Sequence, residues 1–341
     1  MTLSRREKIV LGEVVRQFIL NGLPVSSSLI AQKAGLGMSP ATIRNILADL
    51  EKKEYIYQPH TSAGRVPKTS AYRLYVDNVM KKSRLSTDEK DKIYISIRKS
   101  ESEFEAILKE ITRILAQLSR QLGVIVSPRI EQGIFQRMEI ISLSSEKLLL
   151  IMSIESGFIK TVTVEVSSMI SREKLQLVSQ ILNERLHGMN LAEIRSKFRE
   201  IVKDIWNEDS GLVKIFAQKA DRLFDFEEDI ELYFNGTDNI FHQPGFSNVE
   251  TISSVVGMLE ERSYVVHLLD EETQTEPISI KIGEEIKEQR MRECSMITAR
   301  YRVGNINGIL GIIGSKQMDY SKMVSLVEFT ARTINDVHGK N

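Results

Sequence analysis

The chain has 341 residues, room for two or three domains, and its 42% hydrophobic and 27% charged residues are ordinary for a globular protein. A single cysteine, Cys294, excludes a disulfide framework and a cysteine metal cluster. No apolar run is long enough for a bilayer span or a signal-peptide core, so a reducing cytoplasm is the expected compartment. The net charge of zero is uneven: residues 1–82 hold 13 Lys and Arg against 6 Asp and Glu, a surplus of +7, and the remainder carries −7, so the first module suits a polyanionic partner.

In chain order, residues 5–21 read as a helix, opened by the capping box Ser4-x-x-Glu7 and stopped at Asn21-Gly22 before Pro24. A shorter helix spans 27–33. The tight segment Ala34 to Met38 follows, and Ser39-Pro40 then opens a third helix, with Ser as N-cap and Pro at the first helical position. Ile43, Ile46, Leu47 and Leu50 give that helix one apolar stripe at i, i+3, i+4, i+7 spacing. Residues 55–60 and 64–67 read as short strands around Thr61-Ser62-Ala63, with prolines marking an edge-like hairpin, and a helix over 70–80 closes the unit.

Residues 81–92 are polar and read as linker. A helix is expected over 103–122, ending at Gly123, and strands over 137–143, 147–154 and 159–166. Residues 171–225 read as helical, with Asn190 and then Asp209 or Ser210 opening separate helices. Strands return over 232–235, 265–269, 278–282, 295–303 and 309–313, before a final helix over 321–337.

Three short helices followed by a hairpin match a winged helix-turn-helix. Opposite the apolar stripe of helix 39–53 lie Ala41, Asn45, Ala48 and Lys52, flanked by Thr42 and Arg44. Small residues admit the backbone to a groove; Arg pairs with guanine and Asn with adenine. Thr42, Arg44 and Asn45 are therefore candidate base readers. Ser39, Arg65, Lys68 and Arg73 are candidate phosphate or wing contacts, with Arg65 expected on a flexible tip. The bland alternatives are a three-helix module for protein contacts, a solvated or ion-paired Arg44, and an ordinary loop cation at Arg65.

The strings SPATIRNILADLE (39–51) and QPHTSAGRVPKTSAYRLYVD (58–77) closely resemble the heat-inducible transcription repressor family HrcA. Further landmarks follow in order across the rest of the chain: NERLHG (183–188), Asn239-Ile240 with Pro244-Gly245-Phe246, Ile282-Gly283-Glu284-Glu285, Cys294-Ser295 and Met318 to Ser321. The sequence departs from the family pattern at Ile46, Gly245 and Ile286, where polar residues are usual. The resemblance implies an α+β multidomain fold: a winged helix (1–82), a linker (83–102), a GAF-like sheet domain (103–166 and 232–341) and a mainly helical dimerisation insertion (167–231), to which strands 137–166 could also belong. It further implies a homodimer that binds the inverted-repeat CIRCE operator of chaperone operons, is assisted by a GroEL-type chaperonin and is relieved by heat.

Other chemistry lacks a motif. The five histidines are scattered without metal-ligand spacing, so no metal or cofactor is expected. Gly304, Gly308, Gly311 and Gly314 lack phosphate-loop order and fit a hairpin. The acidic run Glu227-Glu228-Asp229 reads as solvated surface. A repressor that is also a ligase would need a nucleotide loop in the central part, where only isolated glycines stand, so no enzyme activity is expected. A metabolite-sensing regulator would need a convergent polar constellation, and none names a ligand.

Overall fold

The computed structural model describes residues 3–33, 37–98, 104–205, 211–225, 230–241, 243, 245–246, 249–273 and 277–339. Residues 34–36 of the expected tight segment 34–38, the helix start at 209–210 and the acidic run at 227–229 lie outside these residues.

Helix α1 (Arg5–Asn21) begins at a reciprocal capping box: the Ser4 hydroxyl accepts the Glu7 N–H, and the Glu7 carboxylate accepts the Ser4 N–H at 2.8 Å. It ends at Gly22, whose φ of 67° closes the last turn in the left-handed region. Helix α2 (Ser27–Lys33) and helix α3 (Pro40–Lys52) follow. Buried Val10, Leu11, Val14, Ile30, Ile43, Leu47 and Leu50 form the core of this amino-terminal head. Strands β1 (Ile56–Tyr57) and β2 (Val66–Pro67) pair antiparallel, and helix α4 (Thr69–Asn78) packs back on α1. The strands are shorter than expected: Pro59 offers no N–H to extend the first, and Arg65 bridges to Val25 rather than to β1.

The expected linker contains a helix, α5 (Thr87–Arg98), which buries Ile93, Ser96 and Ile97 on one face and packs on α6 (Phe104–Ser119). Helix α6 stops at Ser119, three residues earlier than expected, and β3 (Leu122–Val126) follows. Gly123 is thus a strand residue. A Cβ there would lie 2.6 Å from the Thr112 carbonyl, so the glycine lets α6 lie close on the strand.

Strands β4 (Phe135–Ser144), β5 (Lys147–Ile154) and β6 (Ile159–Glu165) make an antiparallel meander, with Met138 opposite Met152 and Leu150 opposite Val162. Alternate β5 residues Leu148, Leu150, Met152 and Ile154 are buried, as period-two burial of one face requires. This sheet shares no strand with the larger one described below. Helices α7 (Arg172–Leu186), α8 (Leu191–Ile201), α9 (Leu212–Gln218) and α10 (Ala220–Leu223) accompany it, and α7 packs on β4.

Strand β7 (Leu232–Asn235) is followed by three helices, α11 (Thr237–Phe241), α12 (Val249–Glu260) and α13 (Arg262–Glu272). The strand expected at 265–269 is part of α13. Val265, Leu268 and Leu269 are all buried, and their i, i+3, i+4 spacing serves a helix face. Strands β8 (Ile278–Ile282), β9 (Cys294–Val303) and β10 (Ile306–Ser315) and helix α14 (Tyr320–His338) complete the chain. The larger sheet has the order β7-β3-β10-β9-β8. Central strand β10 is buried at successive positions, so both of its faces are covered.

The chain divides into two compact units. One holds residues 1–125, 232–300 and 309–333: the head and the body of the larger sheet. The other holds 126–231, 301–308 and 334–341, including the meander and α7 to α10.

Candidate nucleic-acid interface

Helix α3 carries the candidate readers. Ser39 caps it: its hydroxyl accepts the Thr42 N–H at 3.2 Å and lies 3.0 Å from the Thr42 hydroxyl. Ile43, Leu47 and Leu50 point into the head core, and Ile46 is half-buried. The opposite face, with Ser39, Thr42, Arg44 and Asn45, is exposed. Four of the seven candidate residues therefore share the first two turns of one helix. A single buried stripe fixes that helix, and its polar face is left open.

Arg65 and Lys68 stand on the hairpin and its exit. Arg65 is not on a flexible tip. Its N–H donates to the Val25 carbonyl at 2.8 Å and its carbonyl accepts the Val25 N–H at 2.9 Å, so the segment before α2 forms a bridge to the hairpin. Gly64 permits this approach, since a Cβ there would lie 2.5 Å from the Val25 backbone carbon. The Arg65 guanidinium pairs with Glu51 at 3.0 Å, and its Nε is buried without a hydrogen-bond partner among the described residues. Lys68 reaches Glu54 at 3.6 Å.

Arg73 stands apart. On α4 it faces the body: Nε donates to Glu285 Oε1 at 2.8 Å, Nη2 to the other Glu285 oxygen and to the Ile280 carbonyl, and Nη1 to Asp77 at 3.1 Å. The Glu285 carboxylate beside it raises the guanidinium's pKa further above its ordinary value.

Two residues that position the candidate interface carry no motif of their own in the sequence. Glu51, at the end of α3, accepts the Gln58 N–H at 3.0 Å through one oxygen and pairs with Arg65 through the other. Gln58 donates its side-chain amide to the carbonyls of Thr61 and Ala63 at 2.9 and 2.8 Å, which staples the hairpin loop. The signal lay within the strings 39–51 and 58–77, where both residues stand at their ends. A second link, Lys53 to Glu7 at 2.6 Å, ties the end of α3 to the start of α1 and holds the Glu7 carboxyl at a pKa of about 2.

Burial pushes the Cys294 thiol up to about 12, which leaves it without thiolate character at neutral pH. Among the described residues, no group of three or more His, Cys, Asp or Glu is placed to hold a metal, and no helix is long and apolar enough to cross a membrane.

A basic helical head with one open polar helix face, carried on an α/β body, is the makeup of a transcription regulator. Residues 105–324 match the family described as HrcA protein C terminal domain. Similar relatives include the heat-inducible transcription repressor HrcA of Chlorobium phaeobacteroides (strain BS1), 36% identical with 96% of each chain covered. The protein of the same name from Prosthecochloris aestuarii is 36% identical, over 98% of this chain and 99% of its own. That of Chlorobaculum tepidum is 35% identical, over 99% and 98%. The chain belongs to the HrcA family. A crystal structure described as a hypothetical protein at 2.2 Å resolution shares the fold, with a TM-score of 0.58, 22% identity and 98% of each chain covered.

Proposed function

We propose that this protein is a sequence-specific repressor of chaperone operons, which binds an inverted-repeat CIRCE operator as a homodimer and is relieved by heat stress. The observation that carries the reading is the exposed face of α3, with Thr42, Arg44 and Asn45 opposite buried Ile43, Leu47 and Leu50, in a family whose members are named heat-inducible transcription repressors. The head acts as a winged helix-turn-helix, with α3 in the major groove and the hairpin as its wing. Thr42, Arg44 and Asn45 read base edges; Ser39, Arg65 and Lys68 position the head on phosphates.

Two-fold operators call for two-fold proteins, because one such head spans a single half-site. The body is GAF-like, and the inserted unit of meander and helices joins two copies. That unit exposes Ile141, Leu143 and Met169, apolar surface that a partner copy would cover. A GroEL-type chaperonin assists the active form, as the family resemblance implies.

Fluorescence anisotropy of the purified protein tests the reading, at fixed salt, on a duplex bearing the inverted repeat and on one with a scrambled arm. Tight binding to the intact repeat with a large loss on the scrambled one is expected. Equal weak binding to both, unchanged when a GroEL-type chaperonin is added, would overturn it.

A further inference from the structure

Arg73 is one of the candidate DNA contacts, yet its guanidinium is spent on the body. It meets Glu285 in a two-pronged pair and also bonds the Ile280 carbonyl at 2.5 Å. Such forks are directional as well as strong, because two parallel N–H donors fix the plane of both groups. The acceptor is itself held: a Glu285 oxygen accepts the Ile282 N–H at 3.0 Å. One turn earlier on α4, the Thr69 hydroxyl donates to Glu284 at 2.5 Å. Between these contacts Tyr72 is buried against Tyr320, with ring centroids 6.1 Å apart, and the Tyr320 hydroxyl lies 2.7 Å from Ser295 Oγ.

The turn that presents both glutamates depends on Gly283, whose φ is 56°; a Cβ there would lie 3.0 Å from the Thr69 hydroxyl. The chain leaving α4 is fastened too, by Ser321 Oγ on the Lys81 carbonyl at 2.5 Å and Ser325 Oγ on the Ser83 carbonyl at 2.8 Å. Head and body are thus joined at Thr69, Tyr72 and Arg73 in the first turns of α4 and again along the chain that leaves it.

We propose that Arg73, clamped by Glu285, is a positioning residue that sets the angle of the head on the body and thereby the half-site spacing a dimer accepts. The proposal rests on the reading of the protein as a dimeric repressor. Adding one base pair between half-sites moves the second by about 3.4 Å and turns it by about 35°. A loosely tethered head absorbs that change, whereas a clamped head loses its second contact and with it the gain from simultaneous engagement, on the order of 100-fold.

The test compares wild type, Arg73→Gln, Arg73→Lys, Glu285→Gln and the swap Arg73→Glu/Glu285→Arg. Each is measured on a single half-site duplex and on inverted repeats with the spacer lengthened or shortened by one and two base pairs. Wild type is expected to fall about 100-fold, to half-site affinity, when the spacer changes. Arg73→Gln and Glu285→Gln should flatten the spacing profile with half-site affinity unchanged. Arg73→Lys, which keeps charge but loses the fork, should flatten it partly, and the swap should restore it.

Half-site affinity falling in Arg73→Gln but not in Glu285→Gln would show that Arg73 touches phosphate and would overturn the proposal. So would an unaltered spacing profile in both single variants. A second readout needs no DNA: spin labels at exposed Lys52 and Arg332 report the head-to-body distance, Cys294 being buried and silent to the label. A narrow distribution in wild type that broadens in Arg73→Gln is expected. Equal widths would sink the clamp even if the DNA reading stands, and absent DNA binding with a broadened distribution would sink the DNA reading alone.

Discussion

Glu51 joins α3 to the hairpin through Arg65, with an N–O distance of 3.0 Å, while its second oxygen holds the Gln58 N–H. One carboxylate therefore fixes both strands of the hairpin relative to the helix that carries the candidate readers. Removing the charge with Glu51→Gln should cost about 1 kcal/mol of stability through the weakened pair and leave the salt dependence of DNA binding unchanged. Arg65→Ala should instead lower the slope of log affinity against log salt by about one, the loss of one phosphate contact. An unchanged slope in Arg65→Ala would assign the arginine to the hairpin alone.

Gly64 makes a steric prediction. The close passage of the hairpin against Pro24 and Val25 leaves no room for a methyl group, whose carbon would meet backbone atoms at 2.5 to 2.6 Å. Backbone cannot swing aside as a long side chain can. Gly64→Ala should break the Val25–Arg65 bridge and destabilise the head by about 1–3 kcal/mol. A urea titration followed by a probe in the head reads the effect, and a midpoint equal to wild type would contradict the geometry.

Arg44 and Asn45 are exposed on α3, so their replacement leaves the core of the head intact. Arg44→Ala and Asn45→Ala should each weaken binding to the intact inverted repeat by about 1–3 kcal/mol and leave affinity for random duplex nearly unchanged. An equal fall on both duplexes would place the side chain on phosphate.

Local signals made the head legible. Ser4 with Glu7, Gly22, and Ser39 with Pro40 define helix ends within a few residues, and the α3 stripe defines its buried side. Contacts between residues distant in sequence leave no such local signal. Arg65 and Arg73 are cations on a basic module, and only the fold shows that their partners are Glu51 and Glu285. In the body, β3 is an apolar run adjoining a helix, and Val265 to Leu269 is β-branched at one end and helical in spacing. Short buried segments of either kind look alike when both faces are covered. The polar stretch before α6 hid α5, because three buried positions suffice for a helix lying on a larger one.

The Glu7–Lys53 pair supplies a pH prediction. Its carboxyl drops from an ordinary 4.5 to about 2 in the folded chain, first through the hydrogen bond from Lys53 and then through the Ser4 N–H. A depressed carboxylate stabilises the fold fully above 4.5 and loses that contribution as pH falls toward 2. Glu7→Gln keeps an acceptor for the capping box but removes the charge. Wild type should exceed it by about 1 kcal/mol at neutral pH, and the two should converge between pH 4.5 and 2. Parallel stability curves through that window would show that the pair contributes nothing.

Asn183 lies on α7, in the second compact unit. Its Oδ1 accepts the Met138 N–H at 2.7 Å and its Nδ2 donates to the Met138 carbonyl at 2.9 Å, while the Ser179 hydroxyl donates to the same carbonyl at 2.7 Å. Strand β4 lies at the edge of its sheet, where backbone groups would otherwise go unpaired. The asparagine side chain thus stands in for a neighbouring strand at one residue and fastens α7 to the sheet edge. Asn183→Ala orphans the Met138 N–H, whereas the carbonyl keeps Ser179, so the loss should be about 1–3 kcal/mol. Asn183→Asp keeps the acceptor for that N–H but sets a charged oxygen beside the carbonyl, and should be no better tolerated than alanine. Asn183→Ala combined with Ser179→Ala should exceed the sum of the singles, because the carbonyl then loses both donors. Strict additivity in thermal or urea unfolding would show that water replaces these bonds and that the edge is not sealed by α7.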